Sequence, residues 1–573
     1  MSLITRNKII FIQILVLGLV ISSLLLITEG ARAYQAGEEE PAEFVVVGRL
    51  IDSQGQPIVE AHILGYIDFI EEPISESESQ EDGSWRLGFD QVPVEDLEIE
   101  LGHPHFEPTT IRLGFEERQQ LEEDSVYRTG EITMQREITP AFWVATIIFV
   151  GVILLIATER LHSTTAALAG MSALFLISYI GGAINESLYI FDFERGLSYI
   201  NWEVIFLVLG MMILVAVIEN TGIFQWLAFQ AYRLSRGRTW LLVLILMAIT
   251  AVASALLDNF TTMLLMTPIS LQIALALGIN PLALIIPQVL ASNVGGISTL
   301  VGTPTNIIIG AYAGISFTDF LVNQTGGVLL ALIAMAAFVL FYYRKDFRKR
   351  SAGVSPALYE KLEKNAQIND KSALWKAGII FFLVLVGFVA GESIHLPPAV
   401  PAMVGATAVL IWLKPDVHHM IKSVDWTTLV FFMALFIIVG AIQEVGVLSL
   451  IASGMSNLIA NNLTLGIFVV VFGVGTLSTA IANIPLAASM LPIINYLTVT
   501  IPGAQSLVLY YALSMGAAMG GNGLLIGGEA NLVTAGITEQ ANTRITFKEF
   551  MKIGLPVTYI TLTIGFLWLL YRF

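Results

Sequence analysis

From residue 141 onward, long apolar runs alternate with short polar connections. Each run comes near the ~20 residues that cross a bilayer as a helix. Twelve apolar cores can be read, at 141–157, 164–182, 202–218, 240–257, 281–309, 328–343, 375–390, 398–413, 426–442, 465–482, 507–533 and 554–571. The pattern predicts a polytopic α-helical membrane protein. Its first membrane repeat covers 141–343, a linker 344–374 and a second membrane repeat 375–573. The linker opens with Arg344-Lys345-Asp346-Phe347-Arg348-Lys349-Arg350, whose five basic residues point to the cytoplasm. Upstream the period changes. Over 43–135, short alternating runs such as 44–50 and 62–66 are broken by Asp52-Ser53-Gln54-Gly55 and Asp82-Gly83, which predicts a small β-sandwich.

The two membrane segments repeat one another. Asn201-Trp202 and Asp425-Trp426 open matching helices 224 residues apart, and Gly222 and Gly446 close them at the same offset. Ser254, Asn259 and Pro268 match Ser478, Asn483 and Pro492 at 224, and Gly295-Gly296, Gly302 and Asn306 match Gly520-Gly521, Gly527 and Asn531 at 225. An offset this constant marks a tandem duplication of about 225 residues.

Two features recur in each repeat. An apolar helix runs into an Asn followed nine residues later by Pro: Asp258-Asn259-Phe260-Thr261-Thr262-Met263 through to Pro268, and Ala482-Asn483-Ile484-Pro485 through to Pro492. Polar groups at membrane depth are costly unless they face protein or water. The stretch after each Asn is too short for two crossings, which predicts a re-entrant hairpin with the Asn at its tip. Each repeat also carries a Gly-rich break in a long apolar segment. The first runs Asn293-Val-Gly295-Gly296-Ile-Ser298-Thr299-Leu-Val-Gly302-Thr303-Pro304-Thr305-Asn306, the second Gly520-Gly521-Asn522-Gly523 through Gly527-Gly528-Glu529-Ala-Asn531. A broken helix frees backbone carbonyls for a cation and helix N-termini for an anion, and two such breaks in matching positions mark a transporter's binding site at the midplane.

Two carboxylates lack acidic counterparts. Asp258 stands opposite Ala482 in the repeat, and Glu529 opposite Pro304. At membrane depth a carboxylate can hold a proton or surrender it to a cation. The candidate ion-binding set is therefore Asp258, Asn259, Thr261, Thr262, Gly295, Ser298, Thr299, Gly302, Thr303, Asn306, Asn483, Gly521, Asn522, Gly527, Glu529 and Asn531. Na⁺ is a candidate coupling ion at Asp258, Asn259, Asn306, Asn483 and Asn531. Against this stand plainer roles: glycines that permit close helix packing, asparagines that join helices, hydroxyls that bond their own backbone and carboxylates held by nearby N–H groups.

Charge adds little about the cargo. The net charge of −17 is concentrated in 34–138, which holds 26 of the 46 acids against 6 Arg and no Lys. The absence of cysteine removes disulfides, thiolate catalysis and most structural zinc. Residues 1–33 read as a signal peptide or an uncleaved anchor: Arg6 and Lys8, an apolar run, then Ala31-Arg32-Ala33. The β-domain is then expected outside the cytoplasm and the chain in the inner (plasma) membrane.

Two resemblances follow from these motifs. Gly48-Arg49-Leu50-Ile51-Asp52, Gly55-Gln56-Pro57-Ile58 with Ala61, and Asp82-Gly83-Ser84-Trp85-Arg86-Leu87 resemble the carboxypeptidase regulatory-like domains, which implies a fold and no activity. Asp258 through Pro268 and the two breaks resemble the ion transporter superfamily, with the closest similarity to its arsenite permease, NhaD-type and P-protein branch. That resemblance implies inverted repeats, an elevator-like transport domain and a homodimer, with Asn259 and Asn483 at the hairpin tips. Dicarboxylate symporters of the superfamily carry Ser-Asn-Thr at both tips, where this chain has Asp258-Asn259-Phe260 and Ala482-Asn483-Ile484. The extra charge opposes a dianion, yet Gly302-Thr303-Pro304-Thr305-Asn306 is more like the dicarboxylate group.

The reading is a secondary active transporter coupled to H⁺ or Na⁺, exchanging a cation for protons or moving a small inorganic anion or arsenite. A sodium-coupled dicarboxylate symporter, an ion channel and a membrane sensor are its rivals. No catalytic triad, metal cluster or phosphate loop supports an enzyme; no cofactor beyond a coupling ion and no nucleic acid is expected. One conflict stands within the sequence. Six crossings per repeat would make the repeats parallel and, from an external β-domain, would put the Arg344 cluster outside. It disappears if one core per repeat does not cross.

Overall fold

The computed structural model describes residues 43–573 apart from 54, 68–71, 159, 349–362, 365, 460 and 461. The signal-like segment and the end of the basic cluster thus lie outside the described residues. Two compact units meet at Glu137–Ile138. In the first, β1 (Phe44–Asp52), β4 (Ser84–Phe89) and β7 (Val126–Met134) form a sheet in the order β4-β1-β7. The strands β2 (His62–Ile67), β3 (Ser75–Glu78), β5 (Leu97–His103) and β6 (Phe106–Leu113) form a second in the order β3-β2-β5-β6. The alternation that marked 44–50 buries Val46 and Leu50 against Ile63, Ile99 and Leu101 of the facing sheet, with Trp85 and Leu87 in the same core. A helix, α1 (Phe115–Asp124), precedes β7.

The second unit is helical. Its first half contains α2 (Pro140–Ala157), α3 (Ser163–Ile184), α4 (Phe193–Ser198), α5 (Trp202–Glu219), α6 (Ile223–Ser235), α7 (Thr239–Leu256), α8 (Asn259–Leu277), α9 (Leu282–Gly295), α10 (Pro304–Ala313) and α11 (Phe317–Tyr342). The second half repeats them in order: α12 (Lys371–Gly391), α13 (Ala399–Leu413), α14 (Val417–Lys422), α15 (Trp426–Glu444), α16 (Val447–Ile459), α17 (Leu463–Leu477), α18 (Asn483–Thr500), α19 (Val508–Gly520), α20 (Glu529–Gln540) and α21 (Phe547–Arg572). The local causes repeat as well. Asn201 and Asp425 accept N–H bonds at the starts of α5 and α15. Gly222 and Gly446 then turn the chain into the amphipathic α6 and α16 at φ of 81° and 85°, which glycine adopts without strain. Capping boxes at Ser316/Asp319 and Thr546/Glu549 start α11 and α21, each 26 residues long.

The halves interlock. α5 packs on α13 and α15 on α3, while α8 packs on α20 and α18 on α10. Such exchanged pairs are what a two-fold relation between duplicated halves produces.

Depth follows from length. α9 and α10 have 14 and 10 residues, ~21 and ~15 Å of helix, so neither alone spans the ~30 Å core. They form one crossing interrupted near its middle. The tip between α7 and α8 is bonded to that interruption: Asn259 Nδ2 donates to Asn293 Oδ1 at 2.9 Å, and Ser254 Oγ donates to the Ser292 carbonyl at 2.8 Å. The arms α7 and α8 therefore meet partway through the bilayer and form the re-entrant hairpin. In the second half Ser478 Oγ bonds the Ala517 carbonyl at 2.6 Å and ties the matching tip to α19.

Among the described residues nine helices are long and apolar enough to cross, and these include both arms of the first hairpin. Counting each hairpin as none and each broken helix as one leaves five crossings per half: α2, α3, α5, α9–α10 and α11, then α12, α13, α15, α19–α20 and α21. An odd number inverts the second half. The sequence count of six included the first arm of each hairpin, because apolar length cannot distinguish a re-entrant arm from a crossing.

Candidate ion-binding site

Both breaks are held open by their own asparagines. Asn306 Nδ2 donates to the carbonyls of Thr299 at 2.8 Å and Ile297 at 3.1 Å. Its mate Asn531 donates to those of Gly521 at 2.7 Å and Leu524 at 3.1 Å. Each side chain thus spans a loop whose carbonyls have left the helix ladder. Gly302 and Gly527 are glycine for want of space. A Cβ at Gly302 would lie 2.8 Å from the Ser254 carbonyl oxygen, and one at Gly527 2.8 Å from that of Ser478. Thr299 Oγ1 donates to the Ala255 carbonyl and accepts the Gly302 N–H at 3.1 Å, closing the first loop onto the hairpin.

A chain of carboxamides joins the halves. Asn259 donates to Asn293, and Asn293 Nδ2 donates to Asn522 Oδ1 at 2.9 Å and Asn531 Oδ1 at 3.0 Å. On the other side Ser514 Oγ donates to Asn306 Oδ1 at 2.6 Å, and Gln324 Nε2 donates to Ser514 at 3.0 Å. All of these side chains except Asn259 are at most 3 % exposed, and Asn259 is 6 %. Asn293, Ser514 and Gln324 were not among the expected site residues. Asn293 and Ser514 carried a signal, since each is a polar residue inside an apolar run, whereas Gln324 lies between Asn323 and Thr325 just ahead of one.

Of the five residues proposed for Na⁺, Asn306 and Asn531 thus spend their side chains on holding the breaks, and Asn259 on the cross-half chain. Asn483 at the second tip is 5 % exposed and takes no part in that chain. Asp258 caps α8 by accepting the Thr261 N–H at 2.7 Å. Thr262 and Thr303 are buried with hydroxyls that have no partner among the described residues. Gly295 presses on Ala251, Gly521 approaches Gly527, and Ser298 is buried in the first break.

The carboxylates meet in open space. A cavity of about 150 Å³ is lined by Asp258, Thr261, Pro304, Asp425, Thr428 and Glu529, and also by Glu219 and Ser423. A second, of about 560 Å³, shares Phe260, Asp425, Thr428 and Glu529 and extends to His162, Thr164 and Ala482. Asp258 and Glu529, from opposite halves, line the same cavity. Asp425 joins them although the sequence marked it only as a helix start; it accepts from Thr427 N at 3.1 Å and from Thr428 Oγ1 at 2.6 Å. Among the described residues no Lys or Arg lines either cavity.

Residues 153–516 match the citrate transporter family, CitMHS. The chain belongs to this family. It is 36% identical over 432 residues to the 46 kDa membrane protein of Mycobacterium leprae, covering 75% of this chain and 98% of that protein. It is 35% identical over 452 residues to the transporter slr0753 of Synechocystis, at 74% and 96% coverage. It is also 32% identical over 513 residues to the human P protein, covering 74% of this chain and 59% of the other. The solved YdaH transporter of Alcanivorax borkumensis aligns at a TM-score of 0.46 and 15% identity, covering 71% of this chain and 98% of that one. This CitMHS member is a multi-pass membrane transporter and not an enzyme. Its polar interior is where the hairpin tips and breaks of both halves converge.

Proposed function

We propose that this protein is a secondary active transporter coupled to H⁺ or Na⁺, with Asp258 as the coupling carboxylate and Glu529 as its partner from the other half. The observation that carries this reading is the cavity where Asp258, Asp425 and Glu529 meet, with no lysine or arginine among the described residues that line it. Such a space favours a cation or a proton and opposes a bare anion. Cation/proton exchange fits it directly. An anionic cargo, such as the citrate of the family's name, would enter only with neutralising cations. The roomier second cavity, about 560 Å³, favours that reading as the alternative.

The five-crossing count supports an inner-membrane orientation with Arg344–Arg348 in the cytoplasm and the β-domain outside. A homodimer is what the superfamily resemblance implies. Flux in proteoliposomes under imposed pH and sodium gradients, screened over Na⁺, Li⁺, arsenite, chloride, citrate and dicarboxylates, tests the assignment. Flux that ignores both gradients would overturn it in favour of a channel.

A further inference from the structure

The duplicated halves treat one position in opposite ways. Tyr199, just before α5, packs its ring on Gly440 of α15, where an added Cβ would overlap it. Its hydroxyl donates to Glu444 at the end of α15, and Arg195 Nη2 lies 3.3 Å from the same carboxylate. At the offset of 224, Tyr199 corresponds to Ser423, Gly440 to Ala216 and Arg195 to His419. Ser423 and Ala216 both line the smaller cavity, together with Glu219 at the end of α5, and that cavity runs to Asp425, Asp258 and Glu529. An aromatic ring fills the volume in one half, and a serine leaves it open in the other.

The five-crossing topology puts the two positions on opposite faces of the membrane. Tyr199 follows two crossings and Ser423 follows seven, on the face that bears Arg344–Arg348. The larger cavity, bordered by His162 between α2 and α3, reaches the same carboxylates from that same face.

We propose that the space between Ala216, Glu219 and Ser423 is the entrance through which a cation reaches Asp258 and Glu529, and that Tyr199, held by Glu444, stops the equivalent entrance on the other face. The word cation rests on the reading above; the one-sidedness of the entrance does not. Glu219 and Asp425 give the path a negative lining that concentrates cations. The stopper works by volume, so in this conformation one side chain distinguishes the closed face from the open one.

The chain contains no cysteine, so single-cysteine labelling is direct. Thr261 lines the cavity, and Thr261→Cys, without carried ion present, should react faster with a membrane-impermeant thiol reagent added on the Arg344–Arg348 face than with one added on the opposite face. Adding Ser423→Tyr should abolish that labelling, and the smaller Ser423→Leu should slow it if the tyrosine variant folds poorly. Removing the stopper should do the reverse: Gly440→Cys in a Tyr199→Ser background should label from the opposite face. Equal labelling of Thr261→Cys from both faces, or labelling indifferent to residue 423, would overturn the proposal. Neither readout depends on what is carried, so a failed flux screen would leave this test standing.

Discussion

Asn293 Nδ2 lies 2.9 Å from Asn522 Oδ1, joining the broken helix of one half to that of the other in the buried middle of the protein. The same nitrogen also donates to Asn531, whose own amide bridges the second break. One carboxamide thus holds two loops that no helix ladder supports. Asn293→Ala would leave Asn259 without its acceptor and both Asn522 and Asn531 without a donor. A buried polar group without a partner costs about 1–3 kcal/mol. Thermal unfolding of the purified protein in detergent should show a clear drop for Asn293→Ala, and one of similar size for Asn531→Ala.

Asp258 has two separable roles, as the cap of α8 and as a charge in the cavity. Asn caps a helix about as well as Asp, so Asp258→Asn should change stability by less than about 0.5 kcal/mol, whereas Asp258→Ala should cost about 1 kcal/mol. Both should lose pH-gradient-driven flux in proteoliposomes. Full flux with Asp258→Asn would show that the carboxylate is only a cap.

The repeat was legible because its markers are residues that geometry dictates: a capping Asn or Asp, a glycine at positive φ, and asparagines across a break. The convergence of the tips and breaks could be argued from those alone. What escaped has specific causes. Asp425 read as a helix start, and it is the cap of α15; only the tertiary fold brings that cap to the cavity lined by Asp258 at the start of α8 and Glu529 at the start of α20. Asn293 stood in plain sight within the first break, but its two partners in the other half lie more than 220 residues away and no local pattern names them. The second hairpin arms were read as part of the hairpins but not counted among the twelve apolar cores. Pro268 and Pro492 and the hydroxyls around them dilute the apolar signal, although each arm is one helix that runs through its proline.

Close approach at the breaks makes a sharp contrast among glycines. Gly302→Ala and Gly527→Ala each place a methyl within 3 Å of a hairpin carbonyl, and the loop cannot yield without breaking its asparagine clamp. Both should lose most folded protein, read as monodisperse yield by size exclusion. Gly536 lies inside α20 with open space around its Cα. Gly536→Ala should be neutral or stabilising by about 0.4–1 kcal/mol.

The cavity's charge can be dissected one carboxylate at a time. Asp425→Asn keeps the cap on α15 and Glu529→Gln keeps the volume at the start of α20, so each removes a charge with little else. Partly solvated charges a few ångströms apart interact by about 1 kcal/mol or more, about a five-fold change in affinity. Each variant should therefore raise the cation concentration for half-maximal flux by about that factor, with maximal flux less affected, and the double variant should compound the two. An unchanged half-saturation in both would mean that the carried ion does not pass this cavity, whatever the role of Asp258.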